Sequence, residues 1–325
     1  MRVFKALATL LALSGSSSAL SINTKRAGRT SAPAGCLTVG SGGTYSTIGA
    51  ALNALGSSTS TACIYVAAGT YKEQLTIKYP GNLTIYGQTT NTGTYKENTV
   101  TITHTISSPE AGSLVASATV NVDKNVFRMY NINVENGYGK GAQAVAASVS
   151  GDQIGFYGCK FLGYQDTLYA REGTQYYSNC YMEGAVDYIF GDASAWFGEC
   201  DIVSNGPGAI TAMSRETTDD TAWYAFDHCT VAGKSGFDLT EDVYLGRPWR
   251  VLARVIYQNS ELGDIINPKG WTTMAAGATP LYYEINNTGD GAGTSARQYE
   301  TAISAPVTKN TVLGSGWTNW VDRTY

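Results

Sequence analysis

The sequence predicts an all-β protein, a right-handed single-stranded parallel β-helix, and three observations carry that prediction. Charged residues make up only 15% of the 325 residues, while 37 glycines and 22 tyrosines, with Thr, Ser and Asn in almost every segment, suit many short strands joined by turns and disfavour long helices. An aromatic residue sits three positions before a cysteine at Phe156/Cys159, Tyr177/Cys180, Phe197/Cys200 and Phe226/Cys229, and the residue two after each cysteine is apolar: Phe161, Met182, Ile202 and Val231. Each unit also alternates apolar and polar residues over a few positions, the period of two that a strand requires.

The N-terminus has a short basic head (Arg2, Lys5), an apolar run from Ala6 to Leu13 and small residues ending Ser17-Ser18-Ala19. This reads as a secretory signal peptide over residues 1–19, too short to anchor in a bilayer. Lys25-Arg26 reads either as a dibasic processing site closing a short propeptide over residues 20–26, or as an ordinary pair of solvated charges. Residues 27–325 are then expected to form one β-helix domain, secreted and monomeric. Removing the four basic residues up to Arg26 leaves 18 basic against 26 acidic residues, a net charge of −8. Such a chain lacks the basic surface that nucleic acid or an anionic membrane needs, so neither is expected as a partner. A polyanion would have to be met at neutralised stretches or through local basic residues. Six cysteines in a secreted chain permit three disulfides, and Cys36 and Cys63, apart from the rest, are expected to pair first. Asn82-Leu83-Thr84 and Asn286-Asn287-Thr288 fit the glycosylation acceptor pattern.

The repeat has looser copies on both sides, Phe127/Tyr130/Ile132 before and Tyr257/Ser260/Leu262 after, which makes at least six units. Spacings of 29, 21, 20, 29 and 31 are too irregular for a helical repeat and suit coils with inserted loops. Stacked coils bring equivalent positions within ~4.8 Å, so aromatic, cysteine and aliphatic ladders are expected to fill the interior. The repeat cysteines read as small core residues; a bond between Cys159 and Cys180 stays open. With two histidines, His104 and His228, and no CxxC pair, zinc is not expected, and neither a metal nor another cofactor is implied.

Counting from the repeat cysteines brings out the chemistry. Asp166 lies seven residues after Cys159 and Asp187 seven after Cys180, so stacking in that register sets two carboxylates face to face on adjacent coils. Two ionised carboxylates that close repel, and one is expected to hold a proton near neutral pH. Gln143, Gln165 and Asp187, spaced 22 apart, form a second column that puts two amides beside the acids, and amide N–H groups can hold a developing oxyanion. Gln165 and Asp166 are neighbours and would point to opposite faces of a regular strand, so a backbone bend is required, with Gly163 as its expected source. A single stacked Asp considered alone more often satisfies a turn.

Five segments resemble the pectin methylesterase family: Gly69-Thr70-Tyr71-Lys72-Glu73, Gln143-Ala144-Val145-Ala146, Gly163-Tyr164-Gln165-Asp166-Thr167-Leu168, Asp187-Tyr188-Ile189-Phe190-Gly191 and Leu245-Gly246-Arg247-Pro248-Trp249. Asn267-Pro268-Lys269-Gly270-Trp271 extends the likeness, which covers nearly all of the mature chain. The resemblance implies a secreted, fungal-type aspartyl esterase acting in cell-wall degradation, which hydrolyses the C6 methyl ester of galacturonate units in pectin. In that reading Asp187 is the nucleophile, Asp166 the general acid and then base, Gln143 and Gln165 the oxyanion hole, and Arg247 the partner that keeps Asp187 ionised. Trp249 forms part of a sugar-binding wall, and Gln143 and Arg247 also touch substrate. Sugar rings stack on aromatic faces, so Tyr188 beside the acids is expected in the groove, while Tyr138, Tyr164, Trp271 and Met274 read either as further groove residues or as core or surface packing. Thr272-Thr273-Met274 stands where family members often carry a second Trp, which changes one groove wall. The segment from Gly69 to Glu73 reads as a structural bend.

The competing readings are a polygalacturonase or lyase on the same fold and a non-catalytic carbohydrate-binding β-helix. Paired carboxylates also suit glycoside hydrolysis, whereas a lyase needs a basic catalytic residue and the Arg247 guanidinium stays charged. A Ser-His-Asp esterase has no visible parts: neither histidine is flanked by a serine nucleophile motif, and GxSxG is absent.

Overall fold

The computed structural model describes residues 26–325, so the signal peptide expected at 1–19 and all but Arg26 of the segment 20–26 lie outside the described residues. The strands form three parallel sheets of ten, seven and eight strands, and each complete coil of the chain contributes one short strand to each sheet. One coil consists of Ile154–Tyr157, Lys160–Leu162 and Leu168–Glu172; the next of Thr174–Ser178, Tyr181–Gly184 and Ile189–Gly191; the next of Ser194–Gly198, Asp201–Ser204 and Gly208–Met213. This is the expected right-handed parallel β-helix, with right-handed crossovers as parallel strands demand.

The ladder read from the sequence fills the interior. Phe156, Tyr177, Phe197, Phe226 and Tyr257 are register partners on successive coils. Their rings stack with centroids 4.4–5.2 Å apart and planes within 10° of one another. Each pair adds about 0.5–1.5 kcal/mol beyond the area it buries. Phe161, Met182, Ile202, Val231 and Leu262 form the aliphatic ladder. Cys159, Cys180, Cys200 and Cys229 are buried free thiols, so the open question of a Cys159–Cys180 bond is answered in the negative. One register differs from expectation: Phe156 pairs with Met129, and Phe127 pairs with Ile154. The unit before Phe156 is therefore offset by two residues, because Phe127 and Met129 both point inward and the aromatic identity of Phe127 misleads.

From the strand Phe127–Tyr130 onward, the corner that follows each of the last seven strands of the ten-stranded sheet uses a left-handed residue. Asn131, Gly158, Asn179, Glu199, His228, Asn259 and Asn286 supply it, with φ between 51° and 57°. Asn and Gly tolerate this region, and Glu199 and His228 are held in it by the stack above and below.

The Cys36–Cys63 bond ties the strand Leu37–Val39 to its neighbour Ala62–Val66 across a separation of 27 residues, as expected. Its removal by Cys36→Ser with Cys63→Ser is expected to cost about 3–4 kcal/mol, the loop entropy of that span. A urea midpoint that does not move would show that the first coil is stabilised by packing alone. The segment from Gly69 to Glu73 proves to be a strand, Gly69–Lys72, and not a bend. Its Glu73 carboxylate accepts the N–H groups of Ile48 and Gly49, both at 2.8 Å, and so caps the helix Ile48–Leu55 that Thr47 also caps. At the other end of the chain, Val312, Leu313, Trp320 and Val321 pack on the outer ladder of Tyr130, Tyr157, Tyr176 and Trp196.

Candidate active site

The corner between the eight-stranded and seven-stranded sheets carries the acidic residues. Leu168 is the register partner of Ile189, so Asp166 and Asp187, each two residues earlier, occupy equivalent places on consecutive coils. The Asp166 N–H donates to the Val186 carbonyl at 3.1 Å and the Asp187 N–H to the Ala209 carbonyl at 2.7 Å. Both residues are left-handed, φ 64° and 50°. That conformation costs an L-residue about 1–2 kcal/mol and persists only where the surrounding structure imposes it. It also supplies the bend that lets Gln165 and Asp166 serve one site. The bend is at Asp166 itself; Gly163, expected as its source, has no positive φ.

The two carboxyl groups differ in environment. Asp166 is 4% exposed, and its pKa is pushed up from the ordinary 3.8 to about 8, first by burial and then by the charge of Asp187, against the opposing pull of Arg247 and of the Gln143 amide. Asp187, also buried, is held bidentately by Arg247: Nε donates to Oδ1 at 2.8 Å and Nη2 to Oδ2 at 2.7 Å. The Arg247 pKa is raised in turn, chiefly by this hydrogen bonding. Arg247 comes from the strand Val243–Pro248, two coils beyond Asp187. In the row Tyr169, Phe190, Ala212, Arg247 the intervening residue is Ala212, whose methyl group leaves the guanidinium a path back to the nearer coil. Gln143 is exposed, and Gln165 is half-buried with its carbonyl accepting the Ala144 N–H at 3.1 Å.

The aromatic surroundings need correcting. Tyr188, expected in the groove, is fully buried with its hydroxyl 3.1 Å from Ser204 Oγ. The left-handed turn at Asp187 sends Tyr188 inward, and Ile189 after it is inward too. Trp271 is likewise fully buried: it stacks on Tyr282 at 4.0 Å and its Nε1 donates to Glu284 at 3.0 Å. It packs in the core towards the C-terminal end and presents no ring to solvent. Trp249 is half-buried and does border the site, tilted against Phe190 at 5.9 Å and Tyr169 at 6.4 Å, which stack on each other at 4.3 Å. Tyr138 and Tyr164 are half-buried, and Met274 is 44% exposed. Tyr169, half-buried, and Phe190, 2% exposed, back Trp249 and are not among the expected residues, although alternation from the inward Leu168 and Ile189 places both on the outer face of their strands. Glu183 and Asn205, which bind the Asp166 segment from behind, were missed too. Among the described residues no group of three or more His, Cys, Asp or Glu side chains is arranged to hold a metal, and no helix is long and apolar enough to cross a membrane.

Known proteins share this sequence and architecture. The pectinesterase family profile matches residues 37–322. Pectinesterase A of Emericella nidulans is 78% identical over 301 residues, 93% of either chain, and a probable pectinesterase A of Aspergillus niger is 74% identical over 93% of this chain and 92% of its own. Among solved structures, the pectin methylesterase from Aspergillus niger in deglycosylated form superposes with a TM-score of 0.91 at 74% identity, over 92% of this chain and all of that one. The pectin methylesterase from carrot superposes with a TM-score of 0.81 at 29% identity, over 89% of this chain and 97% of its own. A match of this breadth, in sequence and in coil-by-coil architecture, places the chain in the pectinesterase family of carboxylic ester hydrolases.

Proposed function

We propose that the protein removes methyl groups from the C6 esters of galacturonate in pectin by covalent catalysis through Asp187. The observation that carries this reading is the unlike surroundings of two stacked acids: Asp166 buried with its pKa pushed up to about 8, Asp187 gripped by a bidentate guanidinium; the first would then hold a proton near neutral pH and the second would be ionised. An Asp187 oxygen attacks the ester carbonyl, and the oxyanion is met by the amides of Gln143 and Gln165. The carbon–oxygen bond to the methoxy group then breaks, Asp166 gives its proton to the departing methanol, and an acyl anhydride remains on Asp187. Asp166, now a carboxylate, takes a proton from water, whose oxygen attacks the anhydride; galacturonate leaves and both acids return to their starting states.

Trp249, backed by Phe190 and Tyr169, offers an aromatic wall for sugar rings, with Tyr138, Tyr164 and Met274 as further accessible surface of the groove. Relatives named as pectin methylesterases include structures solved in complex with hexasaccharides, which supports an extended polymer site. We further propose that the chain is secreted through its signal peptide, acts as a monomer on cell-wall pectin, and carries glycans on Asn82 and Asn286, both exposed. Incubation with methyl-esterified pectin tests the reaction: methanol and acid should appear in equal amounts while chain length stays constant. New reducing ends or unsaturated products would indicate chain cleavage and overturn the reading.

A further inference from the structure

We propose that Glu183 is a positioning residue that sets the spacing between Asp166 and Asp187, because both ends of the segment that carries Asp166 are bonded to it. The inference rests on the functional reading above. Glu183 lies at the end of the strand Tyr181–Gly184, four residues before Asp187, and is 8% exposed. Its backbone carbonyl accepts the Gly163 N–H at 3.2 Å and the Thr167 hydroxyl at 2.9 Å, the two residues that bracket Tyr164, Gln165 and Asp166. Its carboxylate reaches the same segment through Asn205: one amide nitrogen donates to Glu183 Oε1 and to the Gly163 carbonyl, each at 3.0 Å. Both partners are acceptors, so the Asn205 nitrogen must face them and the amide has one orientation.

Two further donors hold the carboxylate in place. Lys234 Nζ donates to Oε1 at 2.8 Å and the Tyr181 hydroxyl to Oε2 at 2.7 Å. With these bonds the Glu183 pKa lies below its ordinary value although burial alone would raise it. A buried charge with three donors cannot shift without breaking them. The Gly163–Thr167 segment is thereby clamped to the same chain that delivers Asp187 four residues on. Backbone pairing acts on the same segment: the N–H groups of Ala185 and Val186 donate to the Tyr164 carbonyl at 2.6 and 3.2 Å, and Gln165 bridges to Val186. The Glu183 and Asn205 side chains add a second set of bonds at Gly163, where the left-handed Asp166 that follows has to be held against its own strain.

Spacing matters twice. Proton delivery to methanol needs Asp166 at a fixed distance from the bond that breaks at Asp187, and a misplacement of about 1 Å can cost roughly 100-fold in rate. The groups that set the charge state of Asp166 are Asp187, Arg247 and Gln143, in addition to its burial. Widening the gap to Asp187 weakens one of the two causes that raise it.

The test compares Glu183→Gln and Asn205→Ala with wild type, using Glu73→Ala, at the helix cap four coils from Glu183, as a variant that loses stability alone. Both site variants are expected to lower kcat by about 10- to 100-fold, leave KM for pectin nearly unchanged, and move the alkaline limb of the pH profile to lower pH. Glu73→Ala should lower Tm and leave kcat and the limb as they are. Should Glu183→Gln fail to fold, Asn205→Ala decides alone, since it keeps the Lys234 pair. If the site variants lower only Tm and keep both kcat and the limb, the positioning role is wrong. Asp187→Ala run alongside separates the two ideas: an inactive Asp187→Ala with fully active site variants sinks the positioning role, whereas an active Asp187→Ala sinks the reading of the site.

Discussion

Asp187→Ala is expected to lower methanol release from pectin by about 10⁴-fold or more, because the acid left at the corner, Asp166, holds its proton near neutral pH and cannot take over as nucleophile. The loss should appear in kcat with little change in KM, since the proposed sugar wall at Trp249 packs on Phe190 and Tyr169 and not on Asp187. The same substitution removes both acceptors of the Arg247 guanidinium. Arg247 retains 30% side-chain exposure and can turn to water, so the stability loss should be modest, about 1–3 kcal/mol. Asp187→Asn discriminates further: it nearly preserves size and gives Arg247 one acceptor, so its Tm should lie closer to wild type while its activity stays as low as that of the alanine variant. Methanol release retained by either variant within tenfold of wild type would remove Asp187 from the mechanism.

The fold was legible because a β-helix repeats its constraints. An inward aromatic at one coil must stack on the next, and the ladder from Phe156 to Tyr257 shows in the sequence as a recurring spacing to the following cysteine or serine. The same logic failed by two residues at Phe127, where alternate inward positions hold Phe127 and Met129 and the sequence offers no rule for choosing between them. The acidic pair was legible from the count to Cys159 and Cys180, since register carries through a corner when both coils turn alike. Its pairing with Arg247 came from resemblance alone: a contact that skips a coil across Ala212 leaves no periodic trace. Tyr188 and Trp271 were misplaced for a different reason. Tyr188 and Ile189 are both fully buried, so alternation does not run through the left-handed corner at Asp187, and neither that corner nor the packing of Trp271 on Tyr282 leaves a pattern in the sequence. Glu183 and Asn205 escaped notice because their partners in the Asp166 segment are backbone groups of another coil, which no side-chain pattern records.

For Asp166→Asn two effects of opposite sign are expected, and together they identify the residue as the buried proton carrier. Loss of the acid should lower kcat by about 10²- to 10⁴-fold, the range for a positioned proton donor. Wild-type kcat/KM should fall as pH rises through about 8, where Asp166 loses its proton in the free enzyme, and the limb belongs to the coupled pair. The residual activity of the Asn variant should lack that limb. Stability moves the other way. The folded-state value of about 8 lies above the ordinary 3.8, so between those limits the native state binds a proton that the unfolded chain has released. The stabilising contribution of the protonated form is complete below about pH 4 and is lost as pH climbs towards 8, by up to about 1.4 kcal/mol per pH unit. Asparagine has no proton to lose, so the difference in Tm, variant minus wild type, should widen in favour of the variant from pH 5 to pH 8. A constant difference across that range would mean that Asp166 is already ionised at pH 5, and the neutral acid that the mechanism needs would not exist.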